Sequence, residues 1–157
     1  MELTEVLNVI LISATPISEL RGGIPVAYFR YDFEWYWAFI VAIVGNMLPI
    51  PFLLLLYDPV VKLVSKAGWV KRVVEWFFRY TRRRGGLVEK YGWVGLTMFV
   101  AIPLPITGAW TGSVLAYLMG IKYKRALLAI FLGVLIAALI VTAFCVLGWD
   151  AYLFLKR

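Results

Sequence analysis

The chain contains no histidine and a single cysteine, and only 16% of its 157 residues are charged. Without histidine, neither a serine nor a cysteine can be activated by an imidazole, so nucleophilic catalysis of the triad kind is excluded. Cys145 alone permits no disulfide within the chain and no thiolate cluster for a metal, and the nine carboxylates are too scattered to form a ligand set. No enzyme activity, cofactor or bound metal is expected.

What the chain does have is apolar sequence. Hydrophobic residues make up 63% of it, with seven Trp, where a soluble domain has about half. Three uncharged runs, Trp35 to Tyr57, Tyr91 to Ile121 and Ala126 to Trp149, each exceed the ~20 residues that cross a bilayer. An integral membrane protein is expected. The start, Met1-Glu2-Leu3-Thr4-Glu5, is acidic where a signal peptide is basic, so a cleaved leader is not expected. The net charge of +7 is then a matter of topology and lipid contact, not of nucleic acid.

The charges that stand out lie in Pro16-Ile17-Ser18-Glu19-Leu20-Arg21-Gly22-Gly23-Ile24-Pro25. An ionised side chain at a membrane helix centre costs at least about 2.5–3.5 kcal/mol, so Glu19 and Arg21 are functional candidates if this turn is buried. At the membrane surface they would be ordinary solvated charges. Residues Val6 to Ser18 and Gly22 to Phe29 are each about half a span long, which suggests a re-entrant hairpin with Glu19 and Arg21 at its tip.

Trp35 to Tyr57 reads as a full crossing with aromatic residues at both ends. Asn46 in its middle either lines a site or bonds to another helix. From Pro59 to Lys90, apolar residues at helical spacing alternate with Lys62, Lys66, Arg72 and Arg79, predicting an amphipathic interfacial helix that ends at Arg82-Arg83-Arg84. Tyr91 to Ile121 is too long for one crossing and is interrupted by Pro103-Leu104-Pro105-Ile106-Thr107-Gly108, which predicts a second hairpin. Ala126 to Trp149 is the second full crossing.

A shift of 89 residues places Pro16-Ile17-Ser18 on Pro105-Ile106-Thr107, Gly23 on Gly112 and Ala27-Tyr28 on Ala116-Tyr117. With one residue deleted, Ala38 to Gly45 falls on Ala126 to Gly133. Since a hairpin adds no crossing and a span adds one, the halves enter the membrane from opposite sides, as an inverted repeat. Residues 58–90 and 122–125 carry 12 basic and 3 acidic side chains, against 3 and 5 for the termini and the 30–34 loop. The positive-inside rule therefore puts the linker in the cytoplasm and both termini opposite. The expected fold is an all-α integral membrane domain of repeats 1–58 and 91–157, each a re-entrant helical hairpin plus a full transmembrane helix, joined by the amphipathic cytoplasmic linker helix 59–90.

The residues Glu19 to Pro25 and Pro103 to Gly112 resemble the signatures of the small multidrug export protein family, over nearly the whole chain. That family is distantly similar to the DedA superfamily, whose members have two facing re-entrant hairpins with acidic and basic residues near their tips. The resemblance implies export of small molecules on one side and handling of lipid-linked phosphates on the other. This chain lacks a second arginine within 103–112 of the kind DedA members carry.

If the second arms are helical, Ser18 and Thr107 are candidate N-caps, and the helix ends favour an anion. The leading expectation is a transporter of an amphiphilic or lipid-linked anionic substrate, bound by Arg21, Ser18, Gly22, Gly23, Thr107, Gly108 and Asn46. Glu19, once desolvated, would couple transport to a proton. Pro16, Pro25, Pro103, Pro105 and Gly112 would shape the hairpin tips. The alternatives are an exporter of cationic amphiphiles, a non-transporting assembly factor, or a Glu19–Arg21 pair that only holds the hairpin in place. Membrane lipids are the expected partners, and a homodimer is compatible with so small a chain.

Overall fold

The computed structural model describes residues 2–64, 79, 86–103 and 107–155, and they are helical apart from short connections. They form two compact units, residues 1–48 with 134–157, and residues 49–133.

In the first unit, helix α1 (Leu3–Ala14) opens with the Glu5 carboxylate accepting a hydrogen bond from the Glu2 amide at 2.8 Å, an acidic start that suits the helix dipole. Thr15 closes it by donating its hydroxyl to the Ile12 carbonyl, and Pro16 follows. Helix α2 (Glu19–Pro25) runs on into a π-helical turn, Val26–Arg30. Pro25 withdraws one amide donor at that junction, and the wider turn begins immediately after it. The two arms have 12 residues each, counting α2 with its π turn, or about 18 Å at 1.5 Å per residue. Helix α3 (Trp35–Met47) packs against both.

In the second unit, α4 (Ile50–Val64) restarts the helix after a break at Leu48 and Pro49, with Pro51 in the first turn, where a proline is tolerated. Helix α5 (Gly86–Ala101) is kinked at Gly92, whose φ of 57° lies in the left-handed region open to glycine. Helix α6 (Ala109–Leu118) folds back on α5 and also packs on α4. Helix α7 (Tyr123–Leu155) begins in this unit and continues into residues of the first.

Two helical segments, Trp35–Tyr57 and Tyr123–Gly148, are long and apolar enough to cross a membrane, as the uncharged runs led one to expect. The predicted amphipathic helix over 59–90 falls largely on residues 65–78 and 80–85, which lie outside the described residues, as do Arg82-Arg83-Arg84 and Pro105.

One packing pattern occurs in both units. A Cβ on Gly23 in α2 would overlap Ser13 of α1, and one on Gly45 in α3 would lie 2.7 Å from the Ile10 carbonyl oxygen and 2.9 Å from the Ser13 Cβ. In the second unit, a Cβ on Gly112 in α6 would lie 2.5 Å from Val100 of α5. One on Gly133 in α7 would lie 2.8 Å from the Thr97 carbonyl oxygen and 2.6 Å from the Val100 Cβ. Gly23 and Gly112, like Gly45 and Gly133, are pairs matched by the sequence repeat. In each unit two glycines let the first hairpin arm press against the second arm and against the following long helix.

Candidate functional site

The charged turn of the first unit is built on an unusual backbone. Glu19 has φ +48°, a left-handed conformation that costs a non-glycine residue about 1–2 kcal/mol. Its amide donates to the Thr15 carbonyl at 3.1 Å, so the helical turn is already forming at Thr15. The residue is 3% exposed, and its Oε2 accepts from Arg21 Nη2 at 3.3 Å. The Arg21 side chain is 22% exposed, so the guanidinium is the more reachable member of the pair.

This geometry changes the electrostatics expected of the hairpin. The start of α2 is partially positive, and the carboxylate placed there is the protein's own. Ser18 stands at the N-cap position, but its backbone is already helical and its side chain makes no cap bond, so the expected Ser18 cap does not form. Thr107 is not a cap either. Gly108 takes that position for α6, while the Thr107 hydroxyl donates to the Ile102 carbonyl at 2.7 Å across the turn. The Gly108 amide in turn donates to Thr111 Oγ1 at 3.1 Å. At Thr107 the Ile102 carbonyl takes the hydroxyl in place of the helix amides, and at Ser18 the helical backbone of the residue itself departs from the extended conformation of a cap.

The sequence-predicted residues divide between the units. Pro16, Ser18, Glu19, Arg21, Gly22, Gly23, Pro25 and Asn46 belong to the first; Pro103, Thr107, Gly108 and Gly112 belong to the second. In the first, Glu19, Gly23 and Asn46 are buried, Arg21, Ser18, Gly22 and Pro25 half-buried, and Pro16 exposed. In the second, Thr107, Gly108 and Gly112 are buried and Pro103 is half-buried.

Two further groups were missed at the level of sequence. Ser13 is fully buried at the α1–α2–α3 crossing; its only signal was a hydroxyl inside an apolar run. Ser13 Oγ, Asn46 Oδ1, Asn46 Nδ2 and Thr142 Oγ1, all in the first unit, have no hydrogen-bond partner. Leaving such an atom without any partner, water included, costs about 1–3 kcal/mol, so buried atoms like these call for one. The second group is a concavity of about 220 Å³ lined by Tyr28, Phe29, Asp32, Phe33 and Glu34, just beyond the π turn. Three aromatic rings and two carboxylates there suit a cation with an apolar body. Among the described residues no cluster of three or more metal-ligating side chains occurs.

In the second unit Tyr57 and Ser113 share a hydrogen bond of 2.9 Å, and the Ser113 hydroxyl also lies 2.6 Å from the Trp110 carbonyl oxygen. The Tyr57 ring packs against Tyr117 with centroids 5.4 Å apart. These contacts fix α4 on α6.

A protein-family model described as "Putative small multi-drug export protein" matches residues 19–140, which takes in the charged turn, both spans' apolar cores and the Pro103–Gly112 segment. Neither the curated proteins nor the solved structures returned a match. The family is one of export proteins and not of enzymes. The match covers well over half of the chain, which therefore belongs to the small multidrug export family, as a small helical transport protein of the membrane.

Proposed function

We propose that the protein exports small cationic amphiphiles, with the acidic, aromatic concavity at 28–34 receiving the substrate and Glu19 binding its positive charge or exchanging it for a proton. The observation that carries this reading is the concavity of Tyr28, Phe29, Asp32, Phe33 and Glu34, where aromatic rings and two carboxylates stand together. The Arg21–Glu19 pair leaves the turn near neutral, with little need of an external anion, and Glu19 meets a cation only once Arg21 releases it. Family membership supports the same substrate class.

The lipid-linked phosphate reading rests on one observation, the greater exposure of Arg21 relative to its partner, which leaves its fork within reach of a phosphate. Proteoliposomes separate the two. Uptake of a fluorescent cationic dye, abolished by Glu19→Gln and reduced by Asp32→Asn, supports the first. Movement of a polyprenyl phosphate that is lost in Arg21→Ala would replace it.

In the same proposal each hairpin is re-entrant, the two halves form an inverted repeat and the basic segment 59–90 faces the cytoplasm. Ile17, at the first turn, is 91% exposed, and Leu3, Leu7 and Leu11 form an outward apolar stripe on α1. Such surfaces suit lipid better than water. The shared glycine crossings favour two halves of one design. A homodimer belongs to this reading as well, although Gly95, one glycine available for contact between copies, is covered by Leu87 and Val88 of its own helix.

A further inference from the structure

We propose that Ser13 and Asn46 form a hydrogen-bonding site at the α1–α2–α3 crossing for a neutral group that both donates and accepts, either water or the hydroxyl or amide of a transported molecule. Both residues are fully buried, and neither has a partner for its polar atoms. Ser13 Oγ lies against Gly23, where any side chain would displace it, and the Ser13 Cβ lies against Gly45, the residue before Asn46. Glu19 precedes Gly23 by four residues, so the charged turn lies about one helical turn along α2 from this crossing.

The chemistry of the set selects the ligand. Ser13 Oγ donates or accepts, Asn46 Nδ2 only donates and Asn46 Oδ1 only accepts. A bare cation would leave Nδ2 unsatisfied, and an anion would be repelled by Oδ1. A neutral two-way group meets all three atoms.

The second unit supplies an internal control. At its equivalent crossing Val100 presses on Gly112 and Gly133, the place that Ser13 takes against Gly23 and Gly45 in the first unit. A valine completes that crossing, so the packing itself does not require a polar side chain.

Only the choice between water and substrate rests on the export reading above; the site itself is tested without transport. The chain has two asparagines, Asn8 and Asn46, and the Asn8 amide already donates to the Tyr31 hydroxyl at 3.2 Å. With ¹⁵N-asparagine labelling in lipid nanodiscs, the Asn46 side-chain amide is identified by its loss in Asn46→Val. Cross-relaxation from water to that amide, unchanged by added amphiphile, assigns the site to water. A shift produced by a hydroxyethyl ammonium amphiphile but not by its ethyl analogue assigns it to substrate, and Asn46→Val should then lower transport at least tenfold.

Either result should be accompanied by a lower melting temperature in Ser13→Ala, a variant that adds no atoms and so tests the site even if Asn46→Val fails to fold. An Asn46 amide silent to both water and amphiphile, with Ser13→Ala melting at or above the parent temperature, would overturn the proposal.

Discussion

Glu19 combines burial, a left-handed backbone and an ion pair, and each has a measurable consequence. With Arg21 removed, the Glu19 carboxylate stays buried without its guanidinium, so Arg21→Ala should destabilise the protein, as Glu19→Ala should by taking the carboxylate from Arg21. A double-mutant cycle is expected to give a coupling of about 1–3 kcal/mol in chemical unfolding in detergent. Coupling near zero would mark the pair as a solvated surface contact. Glu19→Gln retains a hydrogen-bond acceptor for Arg21 but not the charge, so it should destabilise less than Glu19→Ala while losing transport, which separates the functional role of the carboxylate from its structural one. At Tyr57 the stakes are smaller: Tyr57→Phe keeps the ring against Tyr117 and removes the bond to Ser113, whose own bond to the Trp110 carbonyl persists. A loss of about 0.5–1.5 kcal/mol is expected in the same unfolding assay.

At the scale of elements, the glycine crossings make a paired prediction. Gly45→Ala and Gly133→Ala each force a Cβ to within 3 Å of the backbone of a neighbouring helix, Ile10 in one unit and Thr97 in the other. Both should destabilise by about 1–3 kcal/mol, read as a lowered midpoint in thermal melting. Gly86 and Gly148 meet nothing within 4 Å, and alanine there should be tolerated. Much of this level was legible in the sequence. Pro16 and Pro103 marked hairpin turns, since a proline ends a helix wherever it removes a needed amide, and uncharged runs marked both long apolar helices. The π turn at Val26–Arg30 was not legible, because its apolar and aromatic residues suit an α-helix equally well. Nor were the missing N-caps at Ser18 and Thr107. Cap preference is a local tendency, and here the Thr107 hydroxyl found the Ile102 carbonyl across the turn.

For the whole molecule, the question is how the helices meet the lipid. Trp35, Tyr36 and Trp37 are exposed together at the start of α3, and Tyr91 and Trp93 on α5, as suits side chains at a membrane interface. Single cysteines at 19, 21, 107 and 108 in a Cys145→Ser background, labelled with a membrane-impermeant reagent from each face, test the re-entrant reading. Labelling at 19 and 21 that is slow from both faces and suppressed by a transported amphiphile is expected. Fast labelling typical of a surface loop would remove the hairpin from the membrane. What the sequence could not disclose at this scale is the contrast between Ser13 and Val100. It becomes visible only when the two crossings are seen to be built alike, because the sequence repeat is short and starts after the first arm.

The π turn has a bearing on the history of the chain. The first half carries one residue more than the second between Tyr28 and Ala38, counted against Tyr117 and Ala126, and a π turn is a place where a helix absorbs a single surplus residue without losing its direction. If the halves descend from one duplicated segment, the surplus residue lies between Phe29 and Trp37, in the last positions of the π turn or in the connection after it. Deleting Phe29 or Arg30 should restore an unbroken α-helix and leave the fold standing. It would also give the two halves equal spacing, at the expense of the concavity that the extra residue adjoins.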